Sequence, residues 1–271
     1  MPVHPTAIVH PGAIIAPDAD IGPYVCIEGP CEIGPGCVLQ PHVVLTGLVR
    51  IGAGNRIGYG AIIGAPAQHL SFPPDHPGQV LIGNSNTIRE LCTVHRSTLA
   101  GGATRIGDHN YLMVGAHLGH DVRLGNHVTI ANNSLLGGHV QVADGVFIGG
   151  GCVFHQHMSI GRLAITQGRS GFSKDIPPFT MGAERNTVAG LNSVGLRRAG
   201  LDAASRQEIK NAFKLLYKSG LNTTQALAAS GERDWGPAAR EFFDFVRAAK
   251  KRGICDLLET SRAFSETEEG D

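Results

Sequence analysis

Aliphatic residues recur every six positions along most of the chain. The first run is Val3, Val9, Ile15, Ile21, Ile27, Ile33, Leu39, Leu45, Ile51, Ile57 and Ile63. The series resumes as Ile82, Ile88 and Val94, then runs through Ile106, Leu112, Leu118, Leu124, Ile130, Leu136, Val142, Ile148, Phe154 and Ile160 to Thr166 and Phe172. Two places ahead of these positions the chain prefers small side chains: Ala7, Ala13, Ala19, Ala61, Ala116, Ser134 and Ala164, with Cys31, Cys37, Cys92 and Cys152 in the same slot. A period of six is neither the 3.6 of an α-helix nor the 2 of a strand. A prism of short strands accounts for it. Each hexad makes one flat face and a turn, three hexads close a triangular coil, and aliphatic side chains fill the interior. Small residues sit where the corners tighten. Coils then stack at about 4.8 Å, and their backbones satisfy one another's hydrogen bonds.

Two stretches break the register. Residues 66–79, PAQHLSFPPDHPGQ, carry four prolines and predict a projecting loop; residues 97–103, STLAGGA, predict a smaller one. Loops on a rigid scaffold are common homes for binding residues. Past residue 192 helical signals replace the repeat. Ser205 with Glu208 reads as a capping box, followed by Ile209, Ala212, Phe213, Leu216 and Tyr217 up to Gly220. A second long helix is expected from Pro237 to Gly253, and the closing SETEEGD is expected to fray. The division is a repeat domain over 1–191 and a helical domain over 192–271.

Composition narrows the function classes. Glycine, at 37 of 271 residues, is about twice ordinary usage and implies many tight turns. Lys and Arg number 23, as do Asp and Glu, so there is no basic footprint for nucleic acid and any phosphate recognition must be local. No apolar run approaches the roughly 20 residues that span a bilayer, and MPVHPTAIVHPG has neither a charged n-region nor an h-region. The expectation is a cytoplasmic protein without stable membrane insertion. The six cysteines show no close pairing of the zinc or redox kind and are expected to be reduced.

Ionisable and flexible residues concentrate in VGAHLGHDVRLG, residues 114–125, with His139, His155 and His157 further on. Since one coil takes eighteen residues, Asp121, His139 and His157 should lie over one another, with His117, His120 and His155 near corners of the same stretch. Three readings compete. Imidazole suits zinc, but His117 and His120 are three apart, unlike the five-residue pair of the β-helical γ-class carbonic anhydrases. The rings could instead be packing at an interface between subunits. In the third reading an imidazole is a general base that takes a hydroxyl proton as the oxygen attacks a thioester, with Asp121 orienting the ring. Gly137-Gly138, one coil on, leaves room for a backbone donor to the oxyanion.

With IRELCTVHRST (88–98), GAHLGHD (115–121), LLGGHV (135–140), VFHQH (153–157) and GLNSVGLRRAG (190–200) in view, the chain resembles the bacterial UDP-N-acetylglucosamine O-acyltransferases over nearly its whole length. The resemblance implies an all-β left-handed parallel β-helix of hexapeptide repeats followed by a C-terminal α-helical domain. It implies His120 as base, Asp121 as its partner and Gly138 as oxyanion donor. His117 and Gln68 match acceptor contacts, His139, His155 and Gln156 line the cleft, and Asn192 and Arg198 belong to the tail, Arg198 toward the nucleotide. Gly168 matches a hydrocarbon ruler, and glycine there implies a long acyl chain. The implied partners are a 3-hydroxyacyl group on acyl carrier protein, a UDP-amino sugar and two further copies in a homotrimer. No metal and no cofactor are implied, phosphopantetheine arriving with the carrier protein. Arg197, Arg206, Lys210, Lys214 and Lys218 are candidates for docking that acidic carrier, or simply a solvated helix face. Departures fall on the acceptor side: His69 and Ser71 replace an acid and a lysine, Val194 replaces a glutamate, and GAERNT (182–187) replaces GNHA. The sugar atom acylated, oxygen or nitrogen, is left open. A coenzyme A-dependent transferase on another nucleotide sugar is the alternative enzyme, and a non-catalytic scaffold the alternative outside enzymes.

Overall fold

The computed structural model describes residues 3–73, 77–249 and 252–259. The hexads form a left-handed parallel β-helix. Two-residue strands alternate with turns, and every third strand pairs in parallel, as Ile8–Val9 does with Cys26–Ile27 and His117–Leu118 does with Leu135–Leu136. Three faces result. The first carries strands from Ile8–Val9 to Gly171–Phe172, the second from Ile14–Ile15 to Ser159–Ile160, and the third from Asp20–Ile21 upward. The second residue of each strand points inward, so Ile21, Leu45, Ile63, Leu112, Leu118, Ile130, Leu136 and Ile148 are fully buried. The small residues two places earlier are buried too: Ala19, Cys31, Cys37, Ala61, Ala116, Ser134, Cys152 and Ala164 begin each face from inside the corner. The slot also takes mid-sized apolar side chains, with Val25, Val43, Val128 and Met158 fully buried there.

The corners are made in the left-handed backbone region, usually the preserve of glycine. Gly115, Gly145 and Gly151 serve there, but so do Asp121 (φ +61°), His139 (φ +62°) and His157 (φ +63°). Tyr24, Leu91 and Leu163 take the same conformation at other corners, so it belongs to the prism and not to the site alone.

The chain leaves the prism after the strand Ile62–Ala65 and rejoins it at Gln79–Ile82. The second excursion ends one residue earlier than the sequence pattern indicates, because Ala103 opens the strand Ala103–Ile106. A hairpin the hexad pattern does not announce, Thr180–Ala183 with Thr187–Leu191, extends the third face. Four helices follow: α1 (Ser193–Arg198), α2 (Ala203–Tyr217), α3 (Thr223–Ser230) and α4 (Pro237–Ala248). The capping assignment at Ser205 is corrected. Asp202 caps α2, its side chain accepting from Ser205 N, so the helix starts sooner. Glu208 is spent elsewhere, accepting from Gly236 N at 2.7 Å ahead of α4. Helix α4 ends at Ala248 rather than running to Gly253, and α3, with an Asn222–Gln225 capping box, is an addition. The region after 192 is not purely helical either: Asp256–Leu257 pairs with Thr187–Val188 and ties the helices back to the third face. The stretch 265–271, expected to fray, lies outside the described residues.

Candidate active site

The strand His117–Leu118 ends in a corner, Gly119-His120-Asp121, that turns the chain from the first face to the second. The corner brings His120 beside the 66–73 loop, its ring 6.5 Å from that of His69, and turns Asp121 toward Ser97 and Thr98. His120 Nδ1 lies 2.9 Å from Asp121 Oδ2. Asp121 is buried, and its carboxylate also accepts from Ser97 Oγ, from Thr98 N at 3.0 Å and from Thr98 Oγ1 at 2.7 Å. Its own N–H donates to Thr104 Oγ1 at 2.8 Å. Burial pushes this carboxyl up, but the bonds from Ser97, His120 and Thr98 outweigh it and hold the pKa at about 2. An ionised Asp121 fixes the Nδ1–H tautomer of a neutral His120 and leaves Nε2 with a free lone pair.

That Nε2 faces Gly138 one coil on. A Cβ on residue 138 would stand 2.6 Å from both Cε1 and Nε2 of His120, so the ring occupies this place only because residue 138 has no side chain. Among the described residues the Gly138 N–H meets no protein acceptor. His120 separates two cavities. One, of about 290 Å³, is lined by Gln68, His95, His117, Gly119, Gly137, Gly138 and Gln156. The other, of about 510 Å³, is lined by His69, Ser71, Phe72, Pro73, Thr98, His139, Gln156 and His157.

The surrounding imidazoles are held in set roles. His117 Nδ1 meets Thr93 Oγ1 at 2.8 Å, and burial, with the neighbouring His95, pushes its pKa down to about 4. His139 stacks on His157 with centroids 4.3 Å apart and meets His120 edge-on at 5.0 Å. Burial lowers the pKa of His139 against the attraction of Asp121, whose Oδ2 is 3.7 Å from Nε2. One donor atom each from His120, Asp121 and His139 come within 4.8 Å of one another. A cation there would have to break the hydrogen bonds that already occupy both Asp121 oxygens, so these residues fit a proton-handling pair better than a metal site.

Of the residues singled out from sequence, Gln68, His117, His120, Gly138, His139 and Gln156 converge here around Asp121. His155 does not. It lines a separate cavity of about 670 Å³ with Arg169, Phe172 and Arg185, and Arg252 Nη1 reaches its Nδ1 at 3.2 Å. Gly168 is exposed and packs near Gly150. Asn192 caps α1, accepting from Gly195 N and donating to Leu163 O, while Arg198 is exposed at the end of that helix. Sequence reasoning gave no roles to Thr93, His95, Ser97, Thr98 and Thr104. The polar run HRST (95–98), with Thr93 just ahead of it, was the available signal for all but Thr104.

A stacked-hexad prism with a histidine–carboxylate pair at an outer corner defines a hexapeptide-repeat transferase, and the family model described as bacterial transferase hexapeptide (six repeats) matches residues 103–138. A second, described as UDP N-acetylglucosamine O-acyltransferase, domain 2, matches residues 175–255. The acyl-[acyl-carrier-protein]–UDP-N-acetylglucosamine O-acyltransferase of Halorhodospira halophila is 42% identical over 213 residues, 78% of each chain. Its counterpart in Synechocystis is 40% identical, covering 82% of this chain and 74% of that one. Among solved structures, LpxA from Acinetobacter baumannii superposes with a TM-score of 0.89 at 37% identity, covering 94% of this chain and 99% of that one. The chain belongs to the UDP-N-acetylglucosamine O-acyltransferase family and is an acyltransferase.

Proposed function

We propose that the chain transfers a 3-hydroxyacyl group from acyl carrier protein to the 3-position of UDP-N-acetylglucosamine or of its 3-amino analogue, the first step of lipid A synthesis, with His120 as general base. The observation that carries this reading is the His120 ring, tethered through Nδ1 to Asp121 and presenting Nε2 between two cavities opposite Gly138. The acceptor oxygen or nitrogen attacks the thioester carbonyl while its proton passes to His120 Nε2. The Gly138 N–H donates to the oxyanion. Collapse expels the thiolate of the carrier's phosphopantetheine, which takes the proton back from His120. The imidazolium formed between these steps is stabilised by Asp121. This chemistry needs no resident cofactor and no metal.

The acceptor sugar is placed in the smaller cavity beside Gln68 and His117, whose depressed pKa keeps a neutral ring against the substrate. Arg198 is assigned to the nucleotide end, Gln156 to the cleft wall, and Gly168 to the end of the acyl channel. A homotrimer accords with the uneven faces. The first face exposes Ile8, Ile62, Leu135 and Val153, whereas the second, beyond Ile14 and Leu48 near its start, exposes Arg50, Arg105, Arg123 and Gln141. Burying the apolar face against another copy brings a neighbour to the edge of the His120 corner.

The test offers 3-hydroxymyristoyl acyl carrier protein and, separately, the same acyl group on coenzyme A, with each UDP-sugar in parallel and products weighed by mass spectrometry. Acylated sugar from the carrier-borne donor is expected. Transfer from coenzyme A alone, or to neither sugar, would overturn the assignment.

A further inference from the structure

The loop leaving the prism after Ala65 walls both cavities, Gln68 in one and His69, Ser71, Phe72 and Pro73 in the other. What seats it is the dipeptide His95-Arg96 on the coil behind. His95 Nδ1 donates to Pro66 O at 2.6 Å. The Arg96 N–H donates to Ala65 O at 3.0 Å, and its Nη1 donates to Gly64 O at 3.2 Å where the chain departs. The guanidinium carbon stands 5.8 Å from the centre of the Phe72 ring. Arg96 is only 6% exposed, and the fold makes room for it: a Cβ on Gly47 would lie 2.8 Å from Nη1. A buried cation is costly unless its hydrogen bonds and charge contacts offset the lost hydration. Here those contacts end on the take-off point and on the far arm of the loop that covers His120.

We propose that Arg96 is the positioning residue that sets the 66–73 loop over the reaction corner, acting through Gly64 and Phe72 without touching substrate. The inference rests on the acyl-transfer reading and deepens it. Because His120, Asp121 and Gly138 belong to the prism itself, loosening the loop should cost acceptor binding and spare the proton transfer.

Arg96→Met, Arg96→Lys, Phe72→Leu and the Arg96→Met/Phe72→Leu pair, made in the full chain, test it with separate KM values for acceptor and acyl donor alongside thermal unfolding. Arg96→Met is expected to raise acceptor KM by roughly ten- to a hundredfold, with donor KM and kcat within about twofold of wild type. Arg96→Lys should recover part of the loss, since it keeps the charge but not the guanidinium fork that reaches Gly64 O. The pair should be no worse than Arg96→Met alone, because both changes break one link. Equal rises in both KM values, a fall in kcat alone, or additive losses in the pair would overturn the proposal. If Arg96→Met fails to fold, Arg96→Lys and Phe72→Leu decide it by the same acceptor-against-donor split. An inactive wild-type enzyme would instead refute the acyl-transfer reading.

Discussion

One added methyl at Gly138 should disable the histidine while leaving the prism standing. In Gly138→Ala the new Cβ lies 2.6 Å from His120 Cε1 and Nε2 and 3.1 Å from Cδ2. Ordinary contact begins near 3.4 Å, so the ring must retreat by about 0.8 Å. Retreat is opposed on two sides, by the 2.9 Å bond to Asp121 and by the His139 edge at 5.0 Å. Displacing a reacting group by about 1 Å costs on the order of 10²-fold, or about 2.7 kcal/mol of barrier. The backbone at 138 is not in the left-handed region and the obstructing atoms are side chain, so stability should change little. Gly137→Ala is the contrasting control: its Cβ would meet the Gln156 backbone N at 2.8 Å, and backbone cannot yield, so there the loss should appear in Tm. The assay is kcat at saturating donor and acceptor, with thermal unfolding of the same samples. A Gly138→Ala enzyme with wild-type Tm and kcat within about threefold would refute the close approach of His120 to this glycine.

The remaining predictions concern protons and chain length. The Asp121 carboxyl, held at about 2 against an ordinary 3.8, contributes stability that is present above about pH 4 and is lost as pH falls toward 2. Its size is on the order of 2 kcal/mol. Urea unfolding of Asp121→Asn should therefore show a deficit at pH 5 that shrinks by pH 2.5, and a constant deficit would sink the idea. His117 is held near 4 against 6.5, so the unfolded chain binds the extra proton and stability drops as pH falls from about 6.5 to 4. His117→Gln should flatten that slope; an unaltered slope would show that the ring is not held neutral. Gly168→Met should shift donor preference to shorter acyl chains, and unchanged preference among C10, C12 and C14 donors would remove Gly168 from the channel end.

The scaffold was legible in the sequence because inward positions repeat without exception over long runs, and a six-residue register leaves no competing element. The same arithmetic placed His139 between Asp121 and His157, since residues eighteen apart share a corner. It failed where the register breaks. Ser97 and Thr98 reach Asp121 across 24 and 23 residues because an excursion lengthens that coil. No periodicity announces such a contact. His155 shows a second limit: it neighbours Gln156 in sequence, but consecutive residues at a corner face different sides, so only Gln156 borders the His120 cavities. In the helical region the start of α2 was misplaced because Ser205 resembles a cap, whereas Asp202 accepts from the Ser205 N–H. Glu208 serves a neighbouring helix, a tertiary use that local spacing does not reveal.

The most direct test of the account is the kcat of His120→Ala, measured with carrier-borne donor and the preferred UDP-sugar on protein of wild-type Tm. Loss of the general base should lower turnover by roughly 10²- to 10⁴-fold with little change in either KM. Turnover within about threefold of wild type would contradict the role given to His120 and, with it, the mechanism.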